Sequence, residues 1–214
     1  MVGCHCHDHG ETTFEGQSAA YRRALWVVIA INGGMFALEI AAGAFAQSMA
    51  LQADALDFLA DTLTYAASLY VIGRAAQLRA NVALIKGASL ALMGVGVLGA
   101  TIYRTVVVGS PDAFVMTGVG GLALASNLAS VLLLLRYRNG DANVRSVWLC
   151  SRNDAIGNIA VITAAGGVAW TGTAWPDLIV AVAMASLFLH SATLILRQAL
   201  RERREALSTP QMAE

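Results

Sequence analysis

The amino-acid sequence predicts an all-α integral membrane protein built as a bundle of six transmembrane helices. Of its 214 residues, 57% are hydrophobic and only 13% are charged, whereas a soluble domain carries roughly a quarter charged residues. The mean hydropathy is +0.61, and the apolar residues come in long uncharged runs. The 14 basic and 14 acidic residues cancel, so no net charge favours nucleic acid as a partner. The expected surroundings are membrane lipid.

Six runs are long enough to cross a bilayer, whose hydrocarbon core of about 30 Å needs roughly 20 residues of helix. They are predicted over residues 24–46, 48–72, 82–103, 114–135, 147–170 and 176–197. The sixth run begins at Pro176, a residue that favours the first helical position. The runs are continuously apolar rather than alternating, which favours helices over the strands of a membrane barrel.

The basic residues predict the orientation, because Lys and Arg are more frequent in cytoplasmic loops. With the N-terminus inside, the cytoplasmic side holds Arg22, Arg23, Arg74, Arg79, Lys86, Arg136, Arg138, Arg145, Arg197, Arg201, Arg203 and Arg204. Arg104 falls in an outer loop and Arg152 within the fifth span. We therefore expect a protein of the cell membrane with both termini in the cytoplasm. Its parts are a Cys/His-rich tail at 1–20, a six-helix domain at 21–200 and a short tail at 201–214.

Five acidic residues fall within the predicted spans, where ionisable side chains are costly and usually face the bundle interior. They are Glu39, Asp54, Asp57, Asp61 and Asp154. Asp54, Asp57 and Asp61 lie at i, i+3 and i+7 and share one face of the second helix; we call them the acidic stripe. Three neighbouring carboxylates repel each other unless protons or a cation neutralise them. A divalent metal that alternates with protons fits this pattern.

A structural role for these acidic residues stays open at this stage. They can cap a helix end or pair with Lys86 or Arg152, and Glu39 and Asp54 can each hold a neighbouring helix through hydrogen bonds. Such roles fit Asp57 and Asp61 less well, because both lie well inside the second span.

The fifth helix offers a second half for a metal site. In WLCSRNDAIGN, Cys150 and Asp154 lie at i and i+4, and Asn158 continues the same face one turn further. Pairs at this spacing on two packed helices can converge on one four-coordinate ion. A thiolate favours zinc or cadmium over calcium or magnesium, although a lone Cys150 can also be a small buried apolar side chain. The candidate ligands are Asp57, Asp61, Asp154 and Cys150, followed by Asp54 and Asn158.

The N-terminal tail concentrates metal-binding side chains in six consecutive residues. These are Cys4, His5, Cys6, His7, Asp8 and His9. Such a tract predicts a flexible chelator without preset geometry, because thiolate and imidazole groups bind soft and borderline metals. The alternative is a tail whose composition has no function.

Two segments resemble the motifs of the cation diffusion facilitator family of divalent-metal transporters. They are SMALQADALDFLAD in the second helix and CSRNDAIGNIAVI in the fifth. By that match, Asp57 and Asp61 take two ligand positions, and Asp54 takes the acidic position before them. Asp154 takes the aspartate position of the fifth helix, and Cys150 stands where the family usually has His.

The resemblance implies a secondary active transporter, not an enzyme, that exports a divalent metal from the cytoplasm in exchange for protons. It implies a homodimer and no permanently bound cofactor. Zinc is the first choice of metal, ahead of cadmium, cobalt, nickel, iron and manganese. Members of the family commonly carry a cytoplasmic C-terminal domain, which we do not expect in this chain. A passive cation channel and an intramembrane acid/base enzyme remain as alternatives.

Overall fold

The computed structural model describes residues 18–71, 76–106, 110–138 and 142–208. Within these ranges the chain forms six α-helices and no strand. The helices are α1 Ala19–Phe45, α2 Met49–Val71, α3 Ala76–Val106, α4 Ala113–Leu134, α5 Ala142–Thr171 and α6 Trp175–Ser208. A short 3-10 helix, Leu135–Tyr137, continues α4. The predicted all-α fold is confirmed, and each helix overlaps one predicted run.

Four helices are longer than the sequence predicted. α1 and α5 each begin five residues earlier, and α3 and α6 differ most. α3 begins at Ala76 rather than at residue 82, and α6 continues to Ser208 rather than ending near residue 197. Hydropathy ends a predicted span at the first charged residues, which marks the membrane surface. A helix continues past that surface as long as its backbone hydrogen bonds are made.

Four of the described helices, α1, α3, α4 and α6, are long and apolar enough to cross a membrane. α2 and α5 are not among these four; α2 contains the acidic stripe, and α5 contains Arg145, Arg152 and Asp154. α2 contacts α1, α3, α5 and α6, so its polar face meets protein rather than lipid. The polar residues of α2 thus mark it as the helix at the centre of the bundle.

The outer surface of the bundle is apolar and carries aromatic side chains near both ends. Trp170 is 89% exposed and Trp175 is 63% exposed at the end where α5 meets α6. Trp26 and Tyr70 are exposed at the opposite end. Trp and Tyr at both ends of a helix bundle are typical of the two membrane–water interfaces.

The helices associate mainly in three pairs: α1 with α2, α4 with α5, and α3 with α6. The first two pairs also contact each other through α1 with α4 and α2 with α5. At one end, buried apolar side chains of α1, α2 and α4 pack together, including Tyr21, Leu25, Tyr65 and Leu134. α3 and α6 lie beside this four-helix unit and complete the surroundings of α2.

The turn between α1 and α2 is short and tightly packed. Gln47 adopts a left-handed backbone conformation with φ of 55°, and its carbonyl accepts a 2.6 Å hydrogen bond from Arg104. At Gly43 the two helices nearly touch, because an added Cβ would lie 3.1 Å from the backbone nitrogen of Gln52. α2 is therefore fixed against α1 at its first turn.

Asp177, in the first turn of α6, caps the N-terminus of α2. Its carboxylate accepts hydrogen bonds from the Ser48 hydroxyl at 2.5 Å and from the backbone N–H groups of Met49 at 2.7 Å and Ala50 at 3.1 Å. The Ser48 hydroxyl in turn accepts from the backbone N–H of Leu51 at 3.0 Å. These bonds satisfy N–H groups that the helix itself leaves without partners, and they fix where α2 begins.

Candidate metal centre

The acidic stripe lies in the interior of the bundle, as its spacing predicts. Asp54 is 1% exposed and Asp61 is 8% exposed, while Asp57 is half-buried. A narrow gap between α1, α2, α4 and α5 is lined by Asn32, Asp54, Asp57, Phe58, Asp61, Asn127 and Asp154. Polar side chains of four helices therefore face one another where the bundle is closely packed.

Asp154 of α5 meets the two later members of the stripe. Its carboxyl group lies within side-chain hydrogen-bonding reach of the carboxyl groups of Asp57 and Asp61. Two carboxyl groups at this separation need a proton or a cation between them. The structure thus brings together three of the predicted ligands from helices that are separated by about ninety residues in the sequence.

A tyrosine that the sequence interpretation missed holds Asp61 in place. Tyr65, one helical turn after Asp61, donates its phenolic hydrogen to Asp61 Oδ2. The same hydroxyl lies 3.3 Å from Ser151 Oγ, and Tyr65 is fully buried. Because a phenol has only one hydrogen to donate, it accepts from Ser151 at this second contact. The sequence offered one signal for these two residues, which is their spacing from the predicted ligands. Tyr65 is four residues after Asp61, and Ser151 is three residues before Asp154.

A cavity of about 500 Å³ adjoins the meeting point of the carboxyl groups, between α2, α3, α5 and α6. Its polar lining consists of Asp57, Asp61, Thr64, Lys86, Asn153, Asp154 and Ser191. It extends toward the end of the bundle where α2 ends and α3 begins. The half-buried state of Asp57 and Asp154 follows from this cavity, which gives water and ions space beside them.

Glu39 and Asp54 form a second acidic pair, nearer the opposite end. Glu39 is fully buried, and neither of its carboxylate oxygens has a hydrogen-bond partner. It lies close enough to Asp54 and Asp57 for their charges to act on each other. Glu39 of α1 and Asp54 of α2 therefore lie next to each other across the contact between the two helices.

The remaining predicted residues differ in what the structure shows of them. Asn158 is fully buried on α5, and neither its amide oxygen nor its nitrogen has a partner. Cys150 belongs to α5, but its side chain is outside the described part. The tail residues Cys4, His5, Cys6, His7, Asp8 and His9 lie outside the described residues. Arg152 is exposed and does not contact the stripe: its guanidinium lies 5.5 Å from the Trp148 ring centre and donates to Asn153.

The described side chains do not form a ready-made metal site. Among them, no three Cys, His, Asp or Glu groups converge closely enough to hold an ion. The carboxyl groups of Asp57, Asp61 and Asp154 approach one another pairwise instead.

An apolar six-helix bundle with carboxyl groups at its centre, beside a cavity, has the architecture of a membrane ion transporter. A family model, the cation efflux transmembrane domain, matches residues 25–202. The chain belongs to this family. The predicted resemblance to cation diffusion facilitators is confirmed.

Two curated relatives show how far the likeness extends. The chain is 28% identical over 212 residues to the metal cation efflux system protein CzcD of Cupriavidus metallidurans, which covers 94% of this chain and 65% of that protein. It is 24% identical over 209 residues to the zinc transporter ZitB of Escherichia coli, which covers 92% of this chain and 67% of ZitB. The chain thus spans about two thirds of the length of these relatives.

Proposed function

We propose that this protein exports a divalent transition metal, zinc first, from the cytoplasm in exchange for protons. The observation that carries the proposal is the meeting of Asp57, Asp61 and Asp154 at the wall of a cavity inside a membrane bundle. The proposed ligands are these three carboxylates and Cys150, with Asp54 and Asn158 as neighbours. The names of CzcD and ZitB support a metal cation, and ZitB supports zinc.

Carboxyl groups in this setting suit an exchange of metal for protons. Without a cation, neighbouring carboxylates in a bundle interior are stabilised by protons. A divalent metal binds to the deprotonated groups, so its entry releases protons and their return displaces it. Metal and protons therefore compete for the same oxygens, which couples the two flows.

The direction of export rests on the basic residues. Lys86 lines the cavity, and Arg22, Arg23 and Arg136 lie toward the same end of the bundle. By the positive-inside rule, we infer that this end and both termini face the cytoplasm. The proposed location is the cell membrane. In this orientation the cavity is the entry for cytoplasmic metal.

The tail of residues 4–9 then lies on the side where the metal enters. Its thiol and imidazole groups raise the metal concentration near the cavity, through effective concentration rather than as a transport site. A homodimer is the proposed assembly, by the family resemblance.

The test is Zn²⁺ uptake into proteoliposomes under an imposed pH gradient. The wild type should transport Zn²⁺ at a rate that depends on the gradient, and Asp57→Asn and Asp154→Asn should each reduce this rate to background. These substitutions keep side-chain size and remove the charge that binds metal. Asp112→Asn is the matched control, because Asp112 is exposed at the N-terminus of α4 and Asn caps helices equally well.

Each outcome separates the proposal from its alternatives. Zn²⁺ flux that does not respond to the pH gradient would favour a passive channel. Absence of flux for Zn²⁺, Cd²⁺, Co²⁺, Ni²⁺, Fe²⁺ and Mn²⁺ alike would contradict metal transport. Equal flux in the wild type and both variants would contradict the site.

A further inference from the structure

Lys86 of α3 is the one cation among the described residues that line the cavity beside the acidic stripe. It is half-buried, and its charge acts attractively on the Asp61 carboxylate. An ionised lysine inside a membrane helix is costly unless an opposite charge compensates it. The carboxyl groups of Asp57, Asp61 and Asp154, which line the same cavity, can supply that charge.

Arg152, the other basic residue near the carboxyl groups in sequence, does not do this. Its guanidinium is exposed, stacks on Trp148 and donates a 3.2 Å hydrogen bond to Asn153 Oδ1. Lys86 is therefore distinguished by its position in the cavity and not merely by its charge.

The surroundings of Lys86 allow its side chain to move. Lys86 also lines a second cleft of about 260 Å³ between α2 and α3, whose other walls include Ala60, Leu63, Ile85 and Met93. The aliphatic stem can lie along these apolar side chains while the ammonium group is at its end. A lysine with space on both sides can approach Asp61 or withdraw from it without repacking α3.

The position of Lys86 affects metal binding because of the other charges in the cavity. Asp57, Asp61 and Asp154 together carry up to three negative charges, and any metal that binds them must compete with a cation already attracted to one of them. The positive charge of Lys86, which stays attached to the cavity wall, weakens metal binding. The same charge also replaces the metal when the ion leaves.

We propose that Lys86 is a tethered competitor of the transported metal, whose ammonium group pairs with Asp61 when no metal is bound and is displaced when the metal enters. This role rests on the proposed function. It keeps metal affinity moderate, so that the ion is released, and it limits the repulsion among carboxylates in the empty site. Lys86 is in this sense a positioning and affinity-setting residue and not a ligand.

The test compares Zn²⁺ binding to the purified full-length chain in detergent by calorimetry, together with transport in proteoliposomes. Lys86→Met keeps length and removes the charge; it should tighten Zn²⁺ binding about tenfold, lower the KM of transport and reduce the maximal rate. Lys86→Arg keeps the charge and should retain an affinity close to that of the wild type. Asp57→Asn is measured alongside these variants. The part of Zn²⁺ binding that it abolishes is assigned to the site in the bundle, and the part that remains is assigned to the tail.

Arg136→Met is the matched control, because Arg136 is exposed, lies outside the cavity and carries the same charge. It should change neither affinity nor rate. A Lys86→Met protein that binds Zn²⁺ equally or more weakly than the wild type would overturn the competitor role while leaving metal transport intact. A wild type that binds none of Zn²⁺, Cd²⁺, Co²⁺, Ni²⁺, Fe²⁺ and Mn²⁺ in the bundle would overturn both proposals.

Discussion

The two ends of the bundle are built differently. At the end where the turns join α1 to α2, α3 to α4 and α5 to α6, polar groups cross-link the helices. Asp177 binds the start of α2, Arg104 donates to the Gln47 carbonyl, the Asp112 N–H donates to the Ala46 carbonyl, and Ser110 donates to the Gly172 carbonyl. We call this the cross-linked end.

Toward the opposite end, the described residues surround the cavity. There α3 and α6 face α2 and α5 across about 500 Å³ of space, with Lys86 and the carboxyl groups along its walls. We call this the cavity end. Among the described residues, hydrogen bonds join different helices at the cross-linked end, whereas at the cavity end space separates α3 and α6 from α2 and α5 beside the acidic stripe.

The largest expected effect is that of a substitution at Asp177, which joins α6 to the start of α2 at the cross-linked end. Asp177→Ala removes three hydrogen bonds to α2 from a buried position, so we expect a loss of about 2–4 kcal/mol in the free energy of unfolding. Chemical denaturation in detergent, followed by circular dichroism, measures it. The matched control is Asp112→Ala, an exposed cap of α4, which should cost only about 1 kcal/mol. Equal losses in the two variants would contradict the special role of the cross-linked end.

The helix contact at Gly43 gives the next largest effect. Gly43→Ala places a Cβ 3.1 Å from the backbone of α2, which cannot move aside as a side chain can, so we expect a loss of about 1–3 kcal/mol. Gly34→Ala, on the same helix with nothing within 4 Å, should be neutral or stabilising by up to about 1 kcal/mol. Thermal unfolding in detergent distinguishes the two. A stabilised Gly43→Ala protein would show that α1 and α2 are not in close contact there.

The smallest expected effect is that of Tyr65→Phe, at the cavity end. It removes the hydroxyl that orients Asp61 and leaves the ring packed, so Zn²⁺ affinity should fall about tenfold while the stability changes little. Calorimetric titration measures the affinity. Tyr70→Phe, an exposed tyrosine on the same helix, should behave as the wild type. A Tyr65→Phe protein with unchanged affinity but lower stability would assign Tyr65 to packing alone.

Much of the fold follows from the sequence because hydropathy reports how each segment partitions between water and lipid. The six helices and the acidic stripe are of this local kind: each depends on spacing within one segment. The pairing of Asp154 with Asp57 and Asp61 was predicted from side-chain spacing on the fifth helix and from the family resemblance, and the structure brings the three residues close together.

Contacts between distant segments were not predictable in the same way. The Asp177 cap joins residues 129 positions apart, and only the packing of α6 beside α2 brings them together. Helix rotation likewise decides that Lys86 faces the stripe and that Arg152 faces away from it. Charge and spacing identify such residues as candidates, but tertiary packing decides which of them meet.

The length of α6 has a mechanical consequence. Its 34 residues extend over roughly 51 Å at about 1.5 Å each, whereas the hydrocarbon core is about 30 Å thick. One continuous helix therefore includes Met184 and Ile195 on the cavity wall and Arg204 beyond the apolar span. A force on the protruding segment, from the lipid headgroups or from any attached mass, acts directly on the width of the cavity.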